Sequence, residues 1–224
     1  MRSSLASAAS ALCVLLAGSA LAQPAPRAPD ASVRAALTLD ALLTRLAATP
    51  GFEARFREEK RIALLAAPLV SEGEIRYAAP ARFVRRTTSP APGVMLLDGR
   101  DLRTSDGRTA DRMDLDANPV VRQFVDGFMA VVRGDRAALE RAYTLAFRLT
   151  DPARPTAWEL TLTPRSDALH RVIRDLRLRG DDVSLASMTV HEASGDESET
   201  TFTQVNPSRR YSPAELARYF RLAP

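Results

Sequence analysis

Thiols, imidazoles and amines are scarce in this sequence. It holds one cysteine, Cys13, two histidines, His170 and His191, and a single lysine, Lys60. Cys13 lies in an N-terminal stretch that reads as removable, so what remains can form no disulfide and offers no thiol nucleophile or ligand. The histidines fall in different segments predicted as strands, without His or Cys neighbours at ligand spacing, and no metal site is expected. No Gly-x-Ser-x-Gly elbow and no glycine-rich phosphate loop occurs, and no serine stands three residues before Lys60. The paired acids Asp114/Asp116 and Asp181/Asp182 lie in or beside predicted turns, where carboxylates usually shape the turn. These absences remove the ordinary supports of an enzyme, and no cofactor is called for.

The most specific signal is at the start. Met1 to Ser4 is short and cationic, Leu5 to Leu16 is apolar or small throughout, and Ala20-Leu21-Ala22 has the small-x-small form of a signal-peptidase site. Residues 1–22 therefore read as a signal peptide cut after Ala22, which would deliver the chain to the periplasm. The apolar run is shorter than the roughly 20 residues of a spanning helix. Leu12 before Cys13 does not suit lipid modification of that cysteine.

Net charge is +4, almost all of the positive charge being arginine. In an exported chain this does not suggest nucleic acid. Arginines alternate with apolar residues, as on a sheet with one solvated face, and no block of like charge stands out.

Residues 23–37 form a leader rich in proline and alanine, and residues 38–224 read as one domain. Thr38 is a suitable N-cap for a helix with Leu39, Leu42, Leu43 and Leu46 on one face, stopped at Thr49-Pro50-Gly51. The period then becomes two: Phe52, Ala54 and Phe56 face one way and Glu53, Arg55 and Arg57 the other. Strands are predicted over 70–78, 82–88, 108–115, 142–150, 156–163, 169–179, 183–192 and 198–206. Hairpins at Asp98-Gly99 and Asp106-Gly107 add more, for about eleven strands in all.

Asn118-Pro119 opens a second helix whose stripe is Val121, Phe124, Val125, Phe128 and Val132, ended by Gly134. Asp135 caps a short continuation carrying Leu139. Ser212-Pro213-Ala214-Glu215 is a capping box for a last helix with Leu216, Tyr219 and Phe220 on one side. A long antiparallel sheet with few helices must hide one face. The expected fold is mainly β (α+β): a single unclosed antiparallel β-barrel with a helical lid.

Several strands carry aligned large apolar residues: Ile75 and Tyr77, Met95 and Leu97, Met113 and Leu115, Trp158 with Leu160 and Leu162. They could simply fill a core. Yet a curved sheet of this length encloses more than two short helices readily fill, and methionines adapt to variable apolar surfaces. Each acyl methylene moved from water into such a space gains about 0.8 kcal/mol.

Phe52-x-Ala54-x-Phe56, Gly73-Glu74-Ile75-Arg76-Tyr77 with Pro80-Ala81-Arg82-Phe83, Leu96 to Leu102, and Trp158 to Pro164 follow one another in that order. Together they resemble the periplasmic outer-membrane lipoprotein carriers, the LolA family. It implies a half-barrel that shields acylated cargo, lipid or lipoprotein, moving from an inner-membrane donor to an outer-membrane acceptor. Phe83 matches the phenylalanine the family uses in cargo handling. Two positions depart: Ala79 stands where the family has a lid-holding arginine, and Arg85 where it has a tryptophan. The long helix resembles a divergent branch whose members accompany glycolipid or aryl-polyene biosynthesis genes.

The expected ligand-binding set, cavity and lid together, is Phe83, Tyr77, Ile75, Met95, Leu97, Phe124, Phe128, Trp158, Leu160 and Leu162, with Phe83 at the barrel mouth. The chain is read as a monomer. The competing reading is a non-enzymatic envelope assembly or sensor module whose apolar pattern is only a closed core; a hydrolase ranks third.

Overall fold

A computed structural model describes residues 36–222. The expected signal peptide, its cleavage site and most of the leader lie outside the described residues.

Helix α1 (Leu39–Ala47) begins where Thr38 Oγ1 accepts the Ala41 amide at 3.2 Å, and it buries Leu42 and Leu43. Six strands follow in sequence: β1 (Gly51–Arg61), β2 (Leu69–Ala78), β3 (Arg82–Ser89), β4 (Gly93–Asp98), β5 (Asp101–Ser105) and β6 (Ala110–Asp114). A 3-10 turn at Leu115–Ala117 leads into α2 (Pro119–Val132) and α3 (Arg136–Ala142). The second half is β7 (Tyr143–Leu149), β8 (Ala157–Pro164), α4 (Asp167–His170), β9 (Ile173–Asp181), β10 (Ser184–Glu192) and β11 (Glu197–Asn206). The last helix is α5 (Pro213–Tyr219).

The eleven strands form one antiparallel sheet in the order β6-β5-β4-β3-β2-β1-β11-β10-β9-β8-β7. Chain order is kept on each side of a central β1–β11 pair, because consecutive strands joined by tight turns pair with their neighbours. β6 and β7 are the two edges and do not pair, so the barrel is open. The expected half-barrel is the observed fold.

Three local expectations are corrected. The segment 169–179 is not strand throughout: Ser166 Oγ accepts the Leu169 amide, so Leu169 and His170 belong to α4 and β9 starts only at Ile173. Asn118 stands at the N-cap of α2 but makes no side-chain capping bond; its Nδ2 donates to the Asp114 carbonyl instead. Leu115 leaves the strand alignment with Met113 by turning inward, 2 % exposed, while Met113 on the edge strand is 38 % exposed.

The concave face is filled unevenly. Over β7–β9, Trp158, Leu160, Leu162, Leu176 and Leu178 pack against Leu42 and Leu43 of α1, Ala130 and Val131 of α2, and Leu139 of α3. Over β1–β4, Phe56, Ile75, Phe83 and Leu97 meet only one helical face, that of Val121, Val125, Phe128 and Met129 on α2.

On the convex face, α5 adds a layer the alternation did not foretell. Phe220 and Leu222 cover Val84, Val94 and Leu96, so β3 and β4 are buried on both sides. Arg86 Nη2 donates to the carbonyls of Tyr219 and Arg221, and the Arg76 guanidinium lies 4.4 Å from the Tyr219 ring centre. Cations on the last carbonyls of a helix are the favourable partner for its C-terminus.

Candidate functional site: an apolar cavity under the lid helix

Two close approaches place α2 over the sheet. Gly127 lies against the ring of Tyr143, where an added Cβ would stand 2.4 Å from the hydroxyl. That hydroxyl donates to the Gln123 carbonyl at 2.8 Å, and the Gln123 side chain accepts from Ser166 Oγ at 2.6 Å. Burial pushes the Tyr143 phenol up to about 12, so it remains a donor at any physiological pH. At the other end Gly134, with φ of +63°, ends the helix where a side chain would strike the Leu43 carbonyl. Asp116 accepts from both Arg100 and Arg122, each at 2.6 Å, tying the start of α2 to the β4–β5 turn. These ion pairs are exposed and contribute little energy, but they fix direction.

Between α2 and β1–β4, β10 and β11 lies a cavity of about 450 Å3. That volume is in the range of small-molecule sites. Ile75, Phe83, Met95 and Leu97 form one wall and Phe56, Met188 and Phe202 continue it. Phe124, Val125 and Phe128 of α2 form the roof. Phe128 meets Phe83 edge to face, with ring centres 5.5 Å apart. The polar groups of the lining, among them Glu58, Arg85, Glu192, Ser198 and Thr200, follow the apolar residues along β1, β3, β10 and β11.

Six of the ten residues expected to bind ligand therefore share this cavity: Ile75, Phe83, Met95, Leu97, Phe124 and Phe128. Four are placed elsewhere. Trp158, Leu160 and Leu162 are at most 1 % exposed in the packed half, since α1 to α3 fill the sheet there; Trp158 Nε1 donates to the Asp182 carbonyl. Trp158 does line a second cavity of about 30 Å3, too small for more than a solvent molecule. Tyr77 is 1 % exposed, stacked near Phe52 and bonded to the Pro80 carbonyl. Phe83 itself is 8 % exposed, a wall residue away from the hydrated rim, which corrects its expected place at the mouth. More of the surface is exposed at the polar part of the lining, where the Glu58 and Arg85 side chains are 20 % and 26 % exposed.

The model of the family described as outer membrane lipoprotein carrier protein LolA-like matches residues 31–208. The chain belongs to this LolA-like family. No curated protein sequence matches it. Among solved structures, it is similar to a LolA superfamily protein of Nitrosomonas europaea, with 14 % identity, a TM-score of 0.43, and coverage of 81 % of this chain and 97 % of that one. It is similar to a chain of the Pseudomonas aeruginosa MucA/MucB complex at 20 % identity and TM-score 0.48, covering 80 % of this chain and 60 % of that one. The lipoprotein LppX of Mycobacterium tuberculosis matches at 9 % identity and TM-score 0.42, covering 78 % and 97 %. Membership rests on the matched family span.

The structure of this LolA-like protein places both positions at which the resemblance implies other residues. Ala79 is exposed in the β2–β3 turn, its amide bonded to the Pro50 carbonyl, and the lid is fastened by the Tyr143 and Asp116 contacts described above. Arg85 faces the cavity, its guanidinium 4.3 Å from the Phe56 ring centre and paired with Glu58 at 3.0 Å.

Several lining residues were missed from the sequence, among them Phe56, Met188, Val190 and Phe202. Alternation in β10 and β11 could have assigned their facing. What it could not show is that β11 pairs with β1, with β10 beside it, rather than ending the sheet. Among the described residues no group of three or more His, Cys, Asp or Glu is arranged to hold a metal ion. No helix there is long and apolar enough to cross a membrane.

Proposed function

We propose that this LolA-like protein is a non-enzymatic periplasmic carrier that shields the acyl chains of a lipid or lipoprotein cargo on the way to the outer membrane. The observation that supports it is the 450 Å3 space left between α2 and the β1–β4 half of the sheet, walled by Phe83, Met95, Leu97 and Phe128. A chain that only needed a core would close this gap as it does over β7–β9, because an unfilled space forfeits packing energy. Acyl carbons entering it would regain about 0.8 kcal/mol per methylene, enough to hold a chain of ordinary length without specific polar bonds. Ile75, Phe83, Met95, Leu97, Phe124 and Phe128 are the proposed acyl contacts. Export follows cleavage after Ala22, and the carrier works as a monomer between an inner-membrane donor and an outer-membrane acceptor.

Native mass spectrometry of the protein purified from the periplasm tests this reading. Acyl species that co-purify at one copy per chain are expected. A mass equal to the bare chain, together with no binding of an uncharged apolar dye, overturns it in favour of an envelope assembly or sensor module.

A further inference from the structure

The cavity wall changes character from apolar to polar along four separate strands. β1 passes from Phe56 to Glu58, β11 from Phe202 to Thr200, β3 from Phe83 to Arg85 and β10 from Val190 to Glu192. Register aligns the changes on β1 and β11, where Phe56 pairs with Phe202 and Glu58 with Thr200. On β3 and β10 the charged residues lie at other levels, Arg85 opposite Ile75 and Glu192 beyond Met188 and Val190, the partners of Thr200 and Ser198, and long side chains close the distance from Arg85 to Glu58 and from Lys60 to Glu192. The result is an apolar cavity with a partly exposed charged collar at one end.

The collar is internally balanced. Glu58 Oε2 accepts from Arg85 Nη1 at 3.0 Å and from Thr200 Oγ1 at 3.1 Å, and Arg85 Nη2 donates to Ser71 Oγ at 3.1 Å. Lys60, directly beyond Glu58 on the same face, pairs with Glu192 at 2.7 Å. All four charged side chains keep between 20 % and 34 % of their surface exposed, so a ligand can reach them. A site for hydrocarbon alone would gain nothing from two half-desolvated ion pairs at its entrance, since desolvation offsets their attraction.

We propose that this collar is a headgroup site for an amphiphile whose head carries both an anion and a cation, such as a phosphate with an amine. The proposal rests on the carrier reading and adds the class of cargo head and its orientation, tail inward. The phosphate exchanges onto Arg85 and Lys60 while the ammonium exchanges onto Glu58 and Glu192, so no collar charge loses its partner. A head of one sign leaves two like charges facing it. An uncharged head cannot replace either ion pair.

The test uses the full chain and three lipids of equal acyl length, each below its micelle concentration. They are lysophosphatidylethanolamine, lysophosphatidylglycerol and monoacylglycerol, and displacement of Nile red, an uncharged apolar dye, reports binding. The ethanolamine lipid is expected to bind about ten-fold more tightly than either other, the scale of one exchanged charge contact. Glu58→Gln, which leaves Arg85 unopposed, should move the preference toward the glycerol phosphate by about the same factor, and Arg85→Gln should move it away. Retained Nile red binding shows that each variant is folded. Equal affinity for the three lipids, or a preference for the single-charge or uncharged head, overturns the headgroup site and leaves the carrier reading standing. Failure of the unaltered protein to bind dye or any lipid overturns both.

Discussion

Truncating Phe83 separates a wall residue from a keystone. At 8 % exposure the side chain is nearly removed from water. An aromatic ring buries roughly 150–250 Å2, worth about 4–6 kcal/mol at about 25 cal/mol per Å2 if every contact is lost. Phe83 does not stand to lose them all, because one side of its ring borders the cavity and has few atoms against it. The expected loss for Phe83→Ala therefore sits at the lower end of the usual range for such a change, about 3 kcal/mol. Part of that belongs to the edge-to-face contact with Phe128, for which about 0.5–1.5 kcal/mol is typical. Urea unfolding of Phe83→Ala, Phe128→Ala and the double variant measures both quantities. The truncation also enlarges the cavity, so binding of an uncharged apolar dye should persist. A Phe83→Ala loss below about 1 kcal/mol, or strict additivity with Phe128→Ala, would refute the packing described. Loss of dye binding in a variant that stays folded would refute the idea that Phe83 is one wall residue among several.

Phe128→Glu places a carboxylate in the apolar roof and should abolish dye binding with a stability loss of several kcal/mol, read as binding and urea midpoint together. Gly127→Ala should cost about 1–3 kcal/mol despite alanine's better helix propensity, because the new methyl meets the Tyr143 hydroxyl; in a Tyr143→Leu background the cost should shrink. Glu215 accepts from the Ser212 amide and from Arg209 and Ser212 side chains, which pull its carboxyl down from 4.5 to about 2. Its stabilisation of α5 is then complete above pH 4.5 and lost as pH falls toward 2, so the melting temperatures of the unaltered protein and Glu215→Gln should differ at pH 6 and converge near pH 2. Glu159 is the buried counterpart: burial raises its carboxyl, but Arg179 and Arg148 at 2.7 and 2.8 Å outweigh this and hold it below its usual value. Glu159→Gln should destabilise the β7–β9 half at neutral pH, and the difference should fade in acid.

Much of the architecture was legible because it is written in local patterns. The cap at Thr38, the two Asp-Gly hairpins, the Gly134 stop and the Ser212–Glu215 capping box are short-range signals, and each appears where the pattern places it. The α4 turn was not seen, although Ser166-Asp167 is itself a capping signal, because alternation in the following strand was extended backward through it. Facing was legible along single strands, which is how Ile75, Phe83, Met95 and Leu97 could be assigned to one wall. Whether a facing residue lines a space or a filled core was not. Trp158, Leu160 and Leu162 alternate as regularly as Met95 and Leu97, yet they meet three helices where the others meet one. That difference depends on where α1 and α3 dock, a long-range fact with no signature in the strand.

The uneven filling of one continuous sheet also assigns work to its two halves. Over β7–β9 the sheet and α1 to α3 make a dense core with Leu160, Leu162 and Leu178 fully buried, and α2 is anchored there through Ala130, Val131 and the Tyr143 contact. The same helix, one face further round, presents Val121, Val125 and Phe128 to the space over β1–β4. A roof held on one side by a packed core can border an open cavity without collapsing into it, because closing the gap would require α2 to leave contacts it already has. The convex layer supports the other boundary: Phe220 and Leu222, just after α5, pack on Val84, Val94 and Leu96 from outside and brace β3 and β4 where only α2 stands over the concave side. The hollow is thus a consequence of where apolar mass is placed, and the partly exposed ion pairs Glu58–Arg85 and Lys60–Glu192 stand where its wall turns polar.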